Sequence, residues 1–99
     1  MAIFGDRIKQ LREQKGLIQR QVANHLDMDT PMLSKIERGE RKARRDEVAM
    51  FSNVLNVPVE SLLSLWLADK VYDLVKDEDV ALDALSVTKV ELNNKNQKK

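Results

Sequence analysis

The sequence predicts an all-α protein: five helices forming one domain, followed by an additional C-terminal helix. Three observations carry that expectation. Apolar residues recur at i, i+3, i+4 and i+7 along most of the chain, the spacing of one helix face. Gly and Pro number only 3 and 2 while charged residues reach 33%, a balance that favours helices over short strands joined by turns. Leu, Ile, Val and Phe supply 29 of the 99 residues, well above the roughly 20% below which a chain buries too little apolar surface to fold. The length is that of one domain and excludes an enzyme with a separate cofactor domain.

Phe4, Ile8 and Leu11 share one stripe of a first helix running from about residue 3 to Lys15. Gly16 stops it, because glycine takes the left-handed C-terminal conformation without steric penalty, and Leu17 is the apolar residue that a Schellman-type ending wants. A shorter second helix, about Gln19 to Leu26, carries Val22, Ala23 and Leu26 on its inner side. Its start is poorly capped, since Ile18 stands where Ser, Thr or Asp would serve. Asp27-Met28-Asp29-Thr30 breaks the pattern. Proline disfavours the α conformation in the residue before it, so Thr30 reads as the N-cap of a third helix and Pro31 as its first residue. Leu33 and Ile36 form its buried stripe. At 100° per residue the opposite side holds Pro31, Ser34, Lys35 and Arg38, with Met32 and Glu37 on the flanks, and Gly39 ends the helix.

The connection Glu40-Arg41-Lys42-Ala43-Arg44-Arg45 is short and basic. Asp46 and Glu47 then suit the positive end of a fourth helix, whose inner face is Val48, Phe51, Ser52 and Leu55. Val57-Pro58 punctuates the chain again. From Val59 a long fifth helix carries Leu62, Leu63, Leu65, Trp66, Leu67, Val71, Leu74 and Val75, more apolar surface than one stripe holds, so part of it should meet a further helix or a second chain. Asp77-Glu78-Asp79 makes an acidic turn. Val80, Leu82, Ala84, Leu85, Val87, Val90 and Leu92 then mark a last helix, and residues 93–99 read as a disordered polar tail.

The net charge of +1 hides an asymmetry. Between Lys35 and Arg45 six basic residues face two acidic ones, and a basic patch on an otherwise neutral domain points to a polyanion partner. No cysteine is present, which excludes a disulfide frame, a thiol nucleophile and Cys-ligated zinc. His25 has no companion at metal spacing and reads as an ordinary imidazole, so no metal is expected. Asp77, Glu78 and Asp79 lack the glycine-bearing loop of an EF-hand and read as an acidic helix start. No Ser-His-Asp set, glycine-rich phosphate loop or paired carboxylates stand out, so neither an enzyme nor a cofactor is expected. The start shows no basic region followed by an apolar run, and Val48 to Ala68 is interrupted by Asn53, Asn56, Pro58 and Glu60. A cytoplasmic protein with no membrane span is the expectation.

Two short helices joined by a tight turn, the second with an outward polar face and followed by a basic loop, form the pattern of a helix-turn-helix DNA reader. Leu11-Arg12, Gly16-Leu17, Gln19, Val22-Ala23 and above all Leu33-Ser34-Lys35-Ile36-Glu37-Arg38-Gly39-Glu40-Arg41 resemble the XRE family of phage-repressor and Cro-like regulators, over about residues 4 to 63. Three positions depart from that pattern: Ile18 where Thr or Ser is usual, Asp27 where Gly is frequent, and Ala43 where Pro is frequent. Asp tolerates the left-handed region better than most residues, so the turn at Asp27 should survive.

The resemblance implies a lambda-repressor-like fold whose third helix enters the major groove. Thr30, Pro31, Ser34 and Lys35 are then the base-contacting residues. Lys35 can donate to guanine O6 and N7, the hydroxyls can pair with several bases, and Pro31 can make only apolar contact. Gln19, Arg38, Arg41, Lys42, Arg44 and Arg45 are the phosphate contacts, although the basic loop taken alone reads equally as a solvated surface. Arg12 and Glu37 match the positions of a structural ion pair between the first and third helices. One recognition helix reads few base pairs, so a homodimer on a palindromic operator is expected. Leu65, Trp66, Val71, Val75, Leu82 and Leu85 are the candidate dimerisation residues, against the alternative that the last helix folds back on its own domain.

The resulting organisation is an XRE-type DNA-binding domain over residues 1–67, a dimerising helical extension over 68–92 and the polar tail over 93–99. The expected function is sequence-specific, double-stranded DNA binding by a transcriptional regulator. A homodimeric repressor is the first choice, and autoregulation or control of a restriction-modification operon would fit the same module. The alternative is an antitoxin or protein-binding adaptor whose C-terminal helices hold a partner protein.

Overall fold

Six helices follow one another along residues 2–97, the part of the chain that the computed structural model describes: α1 (Ile3–Gln14), α2 (Gln19–His25), α3 (Thr30–Glu37), α4 (Arg45–Leu55), α5 (Val59–Val75) and α6 (Ala81–Gln97). No strand occurs among the described residues, and the fold class is all-α as expected. None of these helices is long and apolar enough to cross a membrane.

The first four helices end alike. Gly16, Asp27, Gly39 and Asn56 each take positive φ just past a helix. The next residue turns its N–H back five positions: Leu17 to Arg12, Met28 to Ala23, Glu40 to Lys35 and Val57 to Ser52, at 2.8–3.2 Å. These are Schellman endings, which satisfy carbonyls that a helix terminus leaves open. Asp27, at φ 57°, holds the turn where the family pattern often has glycine. The start of α3 differs from the expectation. Asp29 is the N-cap, its Oδ1 accepting from the Met32 N–H at 2.8 Å, and Thr30 lies inside the helix with Pro31 second. Pro31 sacrifices nothing there, because the first-turn amides have no intrahelical acceptor.

The core is built from the stripes read in the sequence. Phe4, Ile8, Leu11, Val22, Leu33, Ile36, Val48, Phe51 and Leu55 are all buried, and the rings of Phe4 and Phe51 meet edge to face with centroids 5.8 Å apart. Helix α1 lies against α3, α4 and α5, while α2 and α3 pack on each other. Two contacts fix α1 in this frame. At Gly5 an added Cβ would overlap the Ile36 carbonyl oxygen and lie 2.6 Å from that of Glu37, so only glycine lets α1 approach the α3 backbone this closely. At the start of α1, Asp69 of α5 accepts from the Ile3 and Phe4 N–H groups at 2.9 and 2.8 Å, a cap supplied from across the fold.

Trp66 departs from its expected place at an interface between copies. It is 8% exposed, belongs to the core and donates its indole N–H to the Ala43 carbonyl at 2.7 Å. A buried indole needs such a partner, and the connection before α4 supplies it. Leu65 is half-buried against the same core. Helix α6 is the opposite case. None of its residues is buried, and residues 93–97, expected as a polar tail, continue it as exposed helix. Residues 98 and 99 of that tail lie outside the described residues.

Candidate nucleic-acid interface

Helix α3 has two unlike sides. Leu33 and Ile36 anchor the inner one, and Glu37 is buried beside them at 3% exposure. A buried carboxylate is costly unless it is paired and hydrogen-bonded. Arg12 of α1 satisfies it with a two-pronged contact, Nε to Oε2 at 2.8 Å and Nη2 to Oε1 at 3.2 Å, and its Nη1 donates to the Leu17 carbonyl at 2.9 Å. The hydrogen bond to Glu37 raises the Arg12 pKa further above its ordinary value, so the guanidinium stays charged. The pair expected at Arg12 and Glu37 thus ties α1, the α1–α2 turn and α3 into one body.

The outer side of α3 presents Pro31 and Lys35 exposed, with Thr30 and Ser34 half-buried beside them. These are the four expected base-contacting residues, and the helix brings them onto one face. Among the described residues Lys35 is in no salt bridge. Arg38, one turn further, donates from Nη1 to the Ser34 hydroxyl and from Nε to Glu40 at 2.6 Å. The hydrogen bond with Arg38 lowers the Glu40 pKa and raises that of Arg38.

The basic loop is more occupied than its composition suggests. Lys42 pairs with Asp73 of α5, and this hydrogen bond lowers the Asp73 pKa. Arg44 pairs with Asp46 at 3.1 Å, lowering the Asp46 pKa, and its backbone N–H donates to Glu47 at 2.8 Å, which stands in for a missing capping side chain. The Arg45 guanidinium lies 5.7 Å from the centre of the Trp66 ring and the Lys70 ammonium 4.0 Å from it, both within cation–π range. Arg41 is half-buried in a small cleft with Ile36, Gly39 and Trp66, its Nε without a hydrogen-bond partner among the described residues. Gln19, expected on phosphate, turns its side-chain amide to Glu37 at 3.0 Å and so completes the buried ion pair.

Residues 3–65 match the helix-turn-helix domain family, and the match spans α1 to α4 and the first part of α5. The chain belongs to the helix-turn-helix domain family. A comparison with curated proteins found no match. In this helix-turn-helix protein α2 and α3 are the paired helices, Leu26 to Asp29 is the turn, and DNA is the partner to which the family points.

Sequence reading missed three features of the site. The Asp29 cap was legible, because Asp caps better than Thr and stands one residue earlier. Neither the Gly5 approach nor the Lys42–Asp73 pair had a local signal, since each joins residues about 31 positions apart.

Proposed function

We propose that this helix-turn-helix protein is a sequence-specific, double-stranded DNA-binding regulator of the XRE type, acting as a homodimeric repressor that reads the major groove with α3. The observation that carries this reading is the division of α3. Its inner side is held by the Arg12–Glu37 pair, while Pro31 and Lys35 stand exposed on the other with Ser34 beside them. In this reading Thr30, Pro31, Ser34 and Lys35 meet base edges. Arg38, Arg41, Lys42, Arg44 and Arg45 approach the backbone, and Gln19 acts mainly by orienting Glu37.

The pairs that hold Arg38, Lys42 and Arg44 do not oppose this role. Water and salt screen such exposed pairs, so a phosphate can take the place of Glu40, Asp73 or Asp46 at little cost. A second reading, an antitoxin or adaptor that holds another protein, draws on the exposed apolar surface of α6.

Titration of the purified chain with its own upstream DNA, at several salt concentrations, tests the first reading. Each phosphate neutralised contributes a slope of about −0.9 in log affinity against log salt. Specific binding that falls steeply with salt supports the regulator. Binding that is indifferent to sequence, or a stoichiometric complex with a neighbouring gene's product in place of DNA, overturns it.

A further inference from the structure

The outer side of α3 carries a hydrogen bond that bears on which base it can read. Arg38 Nη1 donates to the Ser34 hydroxyl one turn earlier. The other edge of the same guanidinium, Nε and Nη2, lies on the two carboxylate oxygens of Glu40 at 2.6 and 3.3 Å. Residues four apart share a helix face, so the contact to Ser34 is built into α3 and needs no other element. A guanidinium is a planar fork with its donors in fixed directions, and it holds two acceptors at once.

A serine hydroxyl offers one O–H donor and two acceptor lone pairs. Arg38 takes one lone pair. Its positive charge turns the hydroxyl hydrogen away from itself and opposes the approach of a second donor, so Ser34 is left to donate. The carboxylates nearby are engaged elsewhere: Glu37 is buried in its pair with Arg12, Asp29 accepts the Met32 N–H, and Glu40 lies on Arg38. Lys35, exposed beside Ser34, adds three donors and no acceptor. In the major groove guanine shows two acceptors, N7 and O6, adenine and thymine show one each, and cytosine shows only its amino donor. A donating hydroxyl beside a lysine is therefore matched best by a guanine edge.

We infer that Arg38 is a positioning residue for base reading: it fixes the Ser34 hydroxyl as a donor, so that α3 selects guanine in the base pair that Ser34 meets. This rests on the DNA reading proposed above and names the base edge that reading requires. It also joins the two kinds of contact. A DNA phosphate that takes the place of Glu40 occupies the Nε and Nη2 edge and leaves Nη1 on Ser34. Lysine carries its charge as a point on a flexible stem and lacks the fork that holds both partners in fixed directions.

Selection from a duplex library randomised over about two helical turns, roughly 21 bp, tests this without knowledge of the operator. The parent chain, Ser34→Ala, Arg38→Lys and the double variant are each put through it, with circular dichroism to confirm that every chain is helical. None of these changes touches the buried Leu33 or Ile36. The expected result is a G·C pair in one column of each half-site, favoured by about tenfold over A·T. That preference should be lost in Ser34→Ala and Arg38→Lys alike, with no further loss at that column in the double variant. In the selected duplex, 7-deazaguanine or 6-thioguanine at that column, which remove or weaken N7 and O6, should lower the affinity of the parent and leave Ser34→Ala indifferent. A column lost in Ser34→Ala and kept in Arg38→Lys overturns the positioning role and leaves the DNA reading standing, because Arg38 then serves phosphates alone. An A·T pair in that column, no column altered by Ser34→Ala, or equal responses of parent and Ser34→Ala to both analogues also overturns it. A parent chain that enriches no motif removes the regulator and this inference together.

Discussion

Asp69 caps a helix that begins 66 residues before it: its Oδ2 accepts the Phe4 N–H at 2.8 Å, and its Oδ1 accepts that of Ile3. Ala2, the residue that precedes α1, has no side chain able to do this. The carboxylate also sits at the positive end of the α1 dipole, so one group fastens α5 to α1 and neutralises a helix terminus.

Replacing Asp69 with Ala should therefore destabilise the domain by about 1–2 kcal/mol, the cost of a lost cap. Asp69→Asn should cost less, because the amide oxygen still accepts while the charge is gone. Urea unfolding followed by circular dichroism measures both, and equal stability of all three proteins would show that the cap contributes nothing.

Gly5→Ala should destabilise in spite of alanine's higher helix propensity. The gain of up to about 1 kcal/mol from propensity is outweighed by pressing a methyl group onto the α3 backbone, where overpacking costs about 1–3 kcal/mol and the Ile36 and Glu37 carbonyls cannot rotate away. DNA affinity should fall with it, since α3 is displaced. A thermal melt at or above that of the parent protein would contradict the close approach.

Arg12→Ala leaves the Glu37 carboxylate buried with only the Gln19 amide beside it. A loss of about 3 kcal/mol is expected. The double variant Arg12→Met with Glu37→Met should recover part of it, because no charge is then left buried. A double-mutant cycle in urea gives the coupling, and additivity of the two single changes would refute it.

On the DNA face, Lys35→Ala should relax base preference, and Arg44→Ala should weaken all sequences alike and shallow the salt dependence by about one phosphate. Binding to a panel of duplexes separates the two patterns. Identical behaviour of the two variants on every duplex would remove the assigned roles.

Acid should loosen the surface pairs of the basic loop. Asp46 and Asp73 have lowered pKa values in the folded protein, because hydrogen bonds from Arg44 and Lys42 favour their charged forms. A carboxylate lowered on folding stabilises the native state above its unfolded pKa, and that contribution is lost as pH falls through the folded value. The domain should be less stable below the ordinary carboxylate range, and Asp73→Asn should flatten part of that dependence in melts recorded across acidic pH.

The residues that shape the reading surface were legible because their rules are short-ranged. Gly16 and Gly39 close helices through hydrogen bonds spanning five residues or fewer, and the side of α3 bearing Lys35 follows from 100° per residue once Leu33 and Ile36 are known to face inward. Thr30 was misplaced by one position because Asp29 and Thr30 can both cap, and the choice between them depends on which geometry reaches the Met32 amide.

The sequence by itself determined six helices, the glycine endings of the first and third, the inward stripes and the outward face of α3, all consequences of hydrogen bonds and side-chain directions within a turn or two. Only the tertiary structure decided that Asp69 caps α1, that Trp66 is core, that Gln19 serves Glu37 and that Lys42 meets Asp73. Periodicity says which side of a helix is buried and is silent about which helix it is buried against. Contacts between residues tens of positions apart exist only once the stripes have chosen one another.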